Sequence, residues 1–280
     1  MTGELHQPRP IVLTIAGFDP SGGAGIVADI LAIQAVGCKA VAAITSITFQ
    51  NSGKYSGALH QSAESVRAQV EPIASEHAIL AEKIGMLPTA EVVHEVARLI
   101  GVLKLPRPVI DPVMESTSGG KLMSDEAFEV FVTELLPLAR VVTPNISEAE
   151  KLSGMNIHEE EEMRQAAARI RELGAHAVLI KGGHLRGERS GLRGHRSERG
   201  SSPSVREGPN QAIDVLDDGG QVTVFRSEWI DAPNVRGTGC LLSSAIACGL
   251  ARGDELKQAV ATAKDFVTET IKNSKFRIQN

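Results

Sequence analysis

Residues 236–240 have the sequence Arg-Gly-Thr-Gly-Cys and run directly into the helix-favouring segment Leu-Leu-Ser-Ser-Ala-Ile-Ala at 241–247. This order predicts a glycine-rich loop that opens a helix. The first N–H groups of such a helix have no intrahelical partner, and the helix dipole adds partial positive charge there. Gly237 and Gly239 lack a Cβ atom, so the backbone can come close to a ligand. The stretch therefore predicts an anion site, above all for a phosphate or a transferring phosphoryl group.

Cys240 is the first reactive side chain of this predicted helix. A thiol at a helix N-terminus tends to have a lowered pKa, which favours the thiolate. The alternative interpretation is a glycine-rich helix start that only packs tightly against its neighbours. The stretch by itself does not decide between an anion site and a packing motif.

The composition is that of an ordinary globular protein. The chain has 280 residues, of which 42% are hydrophobic and 22% are charged, and its formal net charge is -5. This charge gives no reason to expect nucleic acid or an anionic membrane as the main partner. Three cysteines without metal-like spacing argue against a disulfide framework or a zinc site. Because no signal peptide or membrane-spanning apolar run is visible, we expect a cytoplasmic protein.

Short apolar runs alternate with helical segments along most of the chain. Residues 11–16 predict a strand buried on both faces, and residues 26–36 predict the helix that follows it. This alternation predicts an α/β fold whose mainly parallel sheet is flanked by helices. Residues 124–138 predict a helix. Residues 212–216 and 221–225 flank an Asp-Asp-Gly-Gly turn and predict a hairpin.

Residues 185–210 interrupt the alternation. The segment is rich in arginine, glycine and serine, and it has too few apolar residues to order itself by burial. We interpret it as a flexible insertion, either a solvated loop or a segment that leans over bound phosphates. Because we find no internal repeat and no second apolar core, we expect residues 1–280 to form a single domain.

Polar and small residues follow the predicted strand ends, where α/β sheets bind ligands. Residues 17–25 form a glycine-rich turn, and Asp29 follows one helical turn later. Asp29 can hold a polar ligand group or be a solvated helix residue, and Gln50 can bind a ligand or be an ordinary loop amide. Asn145 is predicted to cap the helix that follows it, and Glu148 comes three residues later, as in a capping box.

Ten short motifs occur in one order along the chain. They are Thr-Ile-Ala-Gly at 14–17, Asp-Pro-Ser-Gly-Gly-Ala-Gly-Ile at 19–26, Ala-Asp at 28–29, Gln-Asn at 50–51, Lys-Ile-Gly-Met-Leu at 83–87, Asp-Pro-Val-Met at 111–114, Thr-Pro-Asn at 143–145, Glu-Ala at 148–149, Lys-Gly-Gly-His at 181–184 and Gly-Thr-Gly-Cys at 237–240. In this combination the chain resembles the ribokinase-like superfamily. Within it, the chain resembles the hydroxymethylpyrimidine and phosphomethylpyrimidine kinases of thiamine biosynthesis.

The resemblance implies a three-layer ribokinase-like fold, with a central, mostly parallel sheet flanked by helices. It implies ATP-dependent phosphorylation of 4-amino-5-hydroxymethyl-2-methylpyrimidine, and then of its monophosphate to the diphosphate. It also implies Mg²⁺ and a homodimer, with a small-molecule pyrimidine rather than nucleic acid or a membrane as the partner.

The functional residues of the family map onto matching positions of this chain. The pyrimidine pocket maps onto Gly17, Asp29, Gln50, Met86 and Val113. The nucleotide side maps onto Asn145 and Lys181, with Glu148 and Asp111 on the metal side. The phosphoryl group maps onto the loop of Gly237, Thr238 and Gly239. Cys240 would accept the proton of the substrate hydroxyl as a thiolate of lowered pKa, or it would only contact the substrate.

Two positions depart from the pattern of the family. Phe18 replaces a small polar residue, and Arg236 follows Val235 where Thr-His is usual. Arg236 can bind phosphate or perturb the loop, which puts the second phosphorylation in question. A pyridoxal kinase of the same superfamily and a non-catalytic pyrimidine-binding sensor stay open as alternatives. Gln50 favours the pyrimidine enzyme over a pyridoxal kinase. The combination of a metal ligand with a base argues against a non-catalytic sensor.

Overall fold

The computed structural model describes residues 9–51, 54–116, 119–183, 211–230 and 236–277. The predicted insertion therefore lies outside the described residues, as does His184. The strands are β1 (Ile11–Phe18), β2 (Lys39–Gln50), β3 (Tyr55–His60), β4 (Ile79–Ile84), β5 (Val109–Ile110), β6 (Val141–Val142), β7 (Ala177–Lys181), β8 (Gln211–Asp218) and β9 (Gln221–Glu228). The helices are α1 (Gly25–Ala35), α2 (Ala63–Glu76), α3 (Ala90–Val102), α4 (Asp125–Val130), α5 (Ile146–Ser153), α6 (Glu160–Glu172), α7 (Thr238–Ala251) and α8 (Leu256–Arg277).

The strands form one sheet in the order β3-β2-β1-β4-β5-β6-β7-β8-β9. Strands from β2 to β7 in this order are parallel, whereas β3 at one edge and β8 and β9 at the other are antiparallel to their neighbours. The chain leaves β1 for β2 on one side and later places β4 on the other side. Ligands of open α/β sheets bind beyond the carboxyl ends of the strands at such a reversal. The predicted, mostly parallel sheet is confirmed.

Helices cover both faces of the sheet, which gives the three predicted layers. Leu13 and Ile15 point to the face that packs against α2, α3, α5 and α6. Val12 points to the opposite face, which packs against α1, α7 and α8. Since β1 is covered on both faces, nearly all of its side chains are apolar and buried, as its sequence predicted.

Helix α7 consists largely of small residues and packs against α1, α8 and the strands β1, β4 and β5. A Cβ atom at Gly249 would lie 2.7 Å from the Cβ atom of Ala259 on α8. Only glycine permits this approach, so the two helices pack closely over the centre of the sheet. This packing fixes the first turn of α7 beyond the carboxyl ends of the parallel strands.

The predicted helix over residues 124–138 is confirmed in its extent, but it is not α-helical throughout. Helix α4 ends at Val130, and a π-helical turn (Phe131–Leu135) and a 3-10 turn (Leu136–Leu138) follow it. Pro137 explains the end of this segment, because proline lacks the N–H group that an α-helix needs and clashes with the preceding turn. Among the helices of the described residues, none has both the length and the apolar character that crossing a membrane requires.

Candidate active site

The loop before α7 touches the loop after β1 through the backbone. Gly237 caps α7 with a φ of 72°, in the left-handed region that favours glycine. A Cβ atom at Gly237 would lie only 2.2 Å from the carbonyl oxygen of Gly23. At Gly25 (φ 60°) a Cβ atom would lie 2.1 Å from the carbonyl oxygen of Gly17. Both loops therefore need glycine to bring the start of α7 against the end of β1.

A cavity of about 410 Å³, here called the β1 cavity, lies between these loops and the ends of β2 and β4. Four of the predicted pyrimidine-binding residues line it together with Cys240: Gly17, Gln50, Met86 and Val113. Gly17 and Met86 are in close contact, since a Cβ atom at Gly17 would lie 2.9 Å from the Met86 sulfur.

Asp29, which the resemblance places in the pyrimidine pocket, does not line the β1 cavity. Its side chain is fully buried and accepts hydrogen bonds from Thr14, Lys83 and Ser244 over 2.7–3.0 Å. Lys83, which Asp29 holds, lines the cavity instead. Burial acts to lower the pKa of Lys83, but the charge of Asp29 outweighs it and raises that pKa above its ordinary value. We therefore assign Asp29 to positioning a charged Lys83.

Asp19 is a residue of the β1 cavity that the sequence analysis did not single out. Its Oδ1 accepts hydrogen bonds from the backbone N–H and the hydroxyl of Ser21, at 2.9 and 2.7 Å. Its Oδ2 is buried and has no hydrogen-bond partner in the structure. The Asx-type contact to Ser21 is what an aspartate before Pro-Ser predicts. The unpaired oxygen, which is costly when buried, makes Asp19 a candidate acceptor for a ligand donor.

A second cavity, of about 690 Å³ and here called the central cavity, borders the other side of Cys240. It carries the predicted nucleotide and metal residues: Asp111, Asn145, Glu148, Lys181, Gly237, Thr238 and Gly239. Lys181 Nζ donates to Asp111 Oδ1 at 2.8 Å. A Cβ atom at Gly239 would lie 3.0 Å from Lys181 Nζ, so this glycine leaves room for the ion pair beside the start of α7.

The two carboxyl groups of the central cavity have opposite pKa shifts. Burial acts to raise the pKa of Asp111, but the charges of Lys181 and Lys83 hold it below its ordinary value. Burial raises the pKa of Glu148 to about 7, although Lys181 opposes this. The predicted capping box is confirmed, because Glu148 Oε2 accepts from Asn145 N and Asn145 Oδ1 accepts from Glu148 N, at 2.8 and 3.0 Å. At neutral pH Asp111 is ionised and Glu148 is poised to bind or release a proton.

The predicted lowering of the Cys240 pKa is wrong. Burial raises the pKa of this thiol to about 12, and the negative charges of Asp29 and Asp111 act in the same direction. Lys83 opposes the shift but does not reverse it. The helix start is thus outweighed by the loss of water around the sulfur. The thiol is protonated at neutral pH and lies close enough to Asp111 to help lower the pKa of that carboxyl group.

A third cavity, of about 700 Å³ and here called the β9 cavity, shares Lys181, Thr238 and Gly239 with the central cavity. Strands β8 and β9 and helices α7 and α8 bound it. Its larger apolar side chains are Trp229, Ile230, Leu242, Val267 and Ile271. The three cavities therefore form a row through the first turn of α7. A small polar ligand and a larger amphipathic ligand can meet there on an anion-binding helix start.

A mostly parallel sheet between two helical layers, with a glycine-rich helix start between two ligand cavities, defines a kinase of the ribokinase-like class. The chain belongs to the phosphomethylpyrimidine kinase family, whose sequence model matches residues 19–280. It is 39% identical to the hydroxymethylpyrimidine/phosphomethylpyrimidine kinase of Streptomyces coelicolor over 94% of this chain and 88% of that protein.

Two solved structures show the same fold. The phosphomethylpyrimidine kinase of Clostridium difficile 630 is 35% identical and superimposes with a TM-score of 0.76, covering 93% of this chain and 99% of that one. The pyridoxal kinase of Bacillus subtilis, solved as an ADP complex, is 36% identical with a TM-score of 0.79, covering 93% of this chain and 91% of that one. The ribokinase-like fold and the kinase family are therefore confirmed.

Proposed function

We propose that this protein transfers the γ-phosphoryl group of ATP to 4-amino-5-hydroxymethyl-2-methylpyrimidine, and then to the phosphate of the resulting monophosphate. One observation carries the proposal. Cys240 borders both the β1 and the central cavity, and Lys181 and Gly239 border both the central and the β9 cavity. An acceptor in the β1 cavity and a nucleotide in the β9 cavity would bring their reacting groups together at the start of α7.

The β1 cavity suits an aminopyrimidine. Met86 and Val113 supply apolar surface for the ring, and Gly17 lets the ring approach the end of β1. Gln50 can donate to a ring nitrogen and accept from an amino group. The unpaired Oδ2 of Asp19 can accept a further hydrogen bond from the exocyclic amine, which takes over the role that the sequence predicted for Asp29.

The nucleotide would lie across the central and β9 cavities. Lys181 would contact the phosphates as a point charge, and the N–H groups of Gly237 and Gly239 would face the transferring group. Asn145 borders the central cavity as the cap of α5. Among the described residues no three acidic, histidine or cysteine side chains cluster as a metal site. Asp111 and Glu148 still fit Mg²⁺, which is usually held by one or two carboxylates together with water and substrate phosphates.

Bound Mg²⁺ would neutralise phosphate charge, while the chain positions the reactants and handles the proton. The thiol of Cys240 is protonated and lies beside the ionised Asp111. When the substrate oxygen attacks phosphorus, its proton passes to Cys240 Sγ as the thiol proton passes to Asp111. Cys240 is thus a relay between the hydroxyl and a carboxylate rather than a resting thiolate.

A product assay tests the proposed function. The protein is incubated with Mg-ATP and the hydroxymethylpyrimidine, and in parallel with pyridoxal, and the products are separated by mass. The monophosphate followed by the diphosphate of the pyrimidine supports the proposal. Pyridoxal phosphate as the main product would favour a pyridoxal kinase, an alternative that the similarity to the Bacillus subtilis enzyme keeps open. Binding of the pyrimidine without any product would favour the sensor.

The assembly proposed for this protein is a homodimer. Ile47 and Phe49 of β2 and Leu59 of β3 lie on one face at the edge of the sheet and are 36%, 53% and 56% exposed. An exposed apolar patch of this kind marks an interaction surface. Phe49→Glu should shift the protein from dimer to monomer in sedimentation velocity.

A cytoplasmic location fits the free, buried Cys38, Cys240 and Cys248.

A further inference from the structure

Arg236 is a cation of the central cavity whose contacts differ from those of the other basic residues there. It lies directly before Gly237 and lines the central cavity with Gln50, Lys181 and Cys240. Its Nη1 donates to the backbone carbonyl of Asn51 at 2.8 Å. Arg236 therefore joins the loop before α7 to the end of β2, on the side of the cavity where the acceptor would enter.

The basic groups near the start of α7 are otherwise neutralised. Lys181 is paired with Asp111 at 2.8 Å, and Lys83 is paired with Asp29 at 2.9 Å. In the part of the chain that the structure describes, no carboxylate forms an ion pair with Arg236. Among the described basic residues that line the central cavity, Arg236 is therefore the one whose charge is available to an added anion. Its present partner, the carbonyl oxygen of Asn51, is neutral and can be exchanged for a phosphate oxygen.

The two acceptors of the proposed reaction differ in charge. The hydroxymethyl compound is neutral, but its monophosphate brings a second phosphate close to the γ-phosphate of ATP. Asp111 is ionised in the same cavity, so the second step adds negative charge to a site that is already negative. Lys181 and Lys83 offset little of this charge, because each is already paired with an aspartate. An unpaired guanidinium on the acceptor side offsets that repulsion and can bind two phosphate oxygens at once.

We propose that Arg236 binds the phosphate of the monophosphorylated acceptor and so supports the second phosphorylation. This inference rests on the proposed function and deepens it. Arg236 acts on the choice between acceptors, because the neutral hydroxymethyl compound has no group that would use its charge. The competing explanation is a purely structural tie between Arg236 and Asn51.

Two substitutions distinguish the effect of the Arg236 charge from the effect of its hydrogen bond to Asn51. Arg236→Lys keeps the charge, and Arg236→Gln keeps a neutral donor for the Asn51 carbonyl but removes the charge. We expect Arg236→Gln to raise the KM for the monophosphate by about 10- to 100-fold, as for a lost charged hydrogen bond, and to leave the KM for the hydroxymethyl compound unchanged. Arg236→Lys should keep most of the preference for the phosphorylated acceptor.

Calorimetry with the monophosphate and with the hydroxymethyl compound, both without ATP, tests the same point independently of turnover. If the protein phosphorylates neither compound, the proposed function is wrong. Calorimetry would still show whether Arg236 contributes to binding of the monophosphate. Weaker monophosphate binding in Arg236→Gln alone supports the proposal. Equal losses for both compounds would assign Arg236 to the structural tie. An unchanged monophosphate affinity, or a raised KM for ATP alone, would also overturn it.

Discussion

Two opposing effects act on the thiol of Cys240. The start of α7 favours the thiolate, but burial beside Asp29 and Asp111 raises its pKa to about 12. A relay to Asp111 predicts that Cys240→Ser, which keeps a proton-carrying oxygen, loses less than about tenfold in kcat, whereas Cys240→Ala loses about 100-fold or more. The measurement is kcat for the hydroxymethyl compound at saturating Mg-ATP.

The pH profile provides the control for this prediction. Asp111, with a pKa below its ordinary value, stays ionised throughout the neutral range. A relay to Asp111 therefore gives a kcat that does not rise between pH 7 and 9. A rate that increased tenfold per pH unit over this range would instead show that the thiolate itself is the base, and would contradict the relay.

Asp19 gives a prediction on recognition of the acceptor. In Asp19→Asn the contact to Ser21 can persist, but the acceptor Oδ2 is replaced by a donor. If Oδ2 accepts from the amine of the pyrimidine, the KM rises by about tenfold. An analogue with hydrogen in place of the 4-amino group should bind equally well to the wild type and the variant. A loss of the same size for both ligands would show that Asp19 acts on the loop instead.

The site residues differ in how far the sequence predicted them. The motif positions placed Gly17, Gln50, Met86 and Val113, and the structure brings these four together. Asp29 and Asp19 both lie near one glycine-rich loop. The sequence does not show which of them forms an ion pair in the core and which faces the cavity. That depends on Lys83 of β4, whose charge Asp29 neutralises across the core. Such long-range pairing follows from packing, which local patterns do not report.

At the scale of elements, the contact between the two glycine loops controls the site. A Cβ atom at Gly237 would meet the Gly23 carbonyl at 2.2 Å, so Gly237→Ala must move the loop or the start of α7. A misplacement of about 1 Å can lower the rate about 100-fold. We expect such a loss in kcat for Gly237→Ala, together with reduced thermal stability.

Gly253 is the matched control for this substitution. It also has a positive φ, of 88°, but a Cβ atom there has nothing within 4 Å. Gly253→Ala should cost about 1–3 kcal/mol from backbone strain alone and leave kcat unchanged. If both variants lost activity to the same extent, strain rather than the contact with Gly23 would explain the effect.

The elements themselves were largely predictable. Apolar runs and caps such as Ser62 and Asn145 predicted most strands and helices, because local spacing and hydrogen bonding determine them. The change of helix type after α4 was not predicted, since buried Phe131 and Leu135 pack in a π-helical turn that no periodicity indicates. That residues 1–280 form a single domain stays a prediction.

At the scale of the whole molecule, Glu82 couples folding to pH. It lies in the middle of β4 beside Leu13 and faces the apolar layer under α2 and α3. Neither of its carboxyl oxygens has a hydrogen-bond partner among the described residues. Burial raises its pKa to about 8. The unfolded chain releases this proton near its ordinary pKa of about 4.3, whereas the folded protein keeps it up to about pH 8. Stability from this group is therefore present at low pH and is lost as pH rises between these values.

Glu82→Gln and Glu82→Met remove this titration. Relative to the wild type, both variants should gain unfolding free energy as pH rises from 5.5 to 7.5, by up to about 1.4 kcal/mol per pH unit. Urea unfolding at several pH values measures the difference. Glu95→Gln is the control, because its hydrogen bond from Arg98 lowers the pKa of Glu95 and its contribution stays constant above pH 5.5. Parallel curves for the wild type and the Glu82 variants would show that Glu82 is ionised in the folded protein, and hence that water or a shifted side chain reaches the sheet centre.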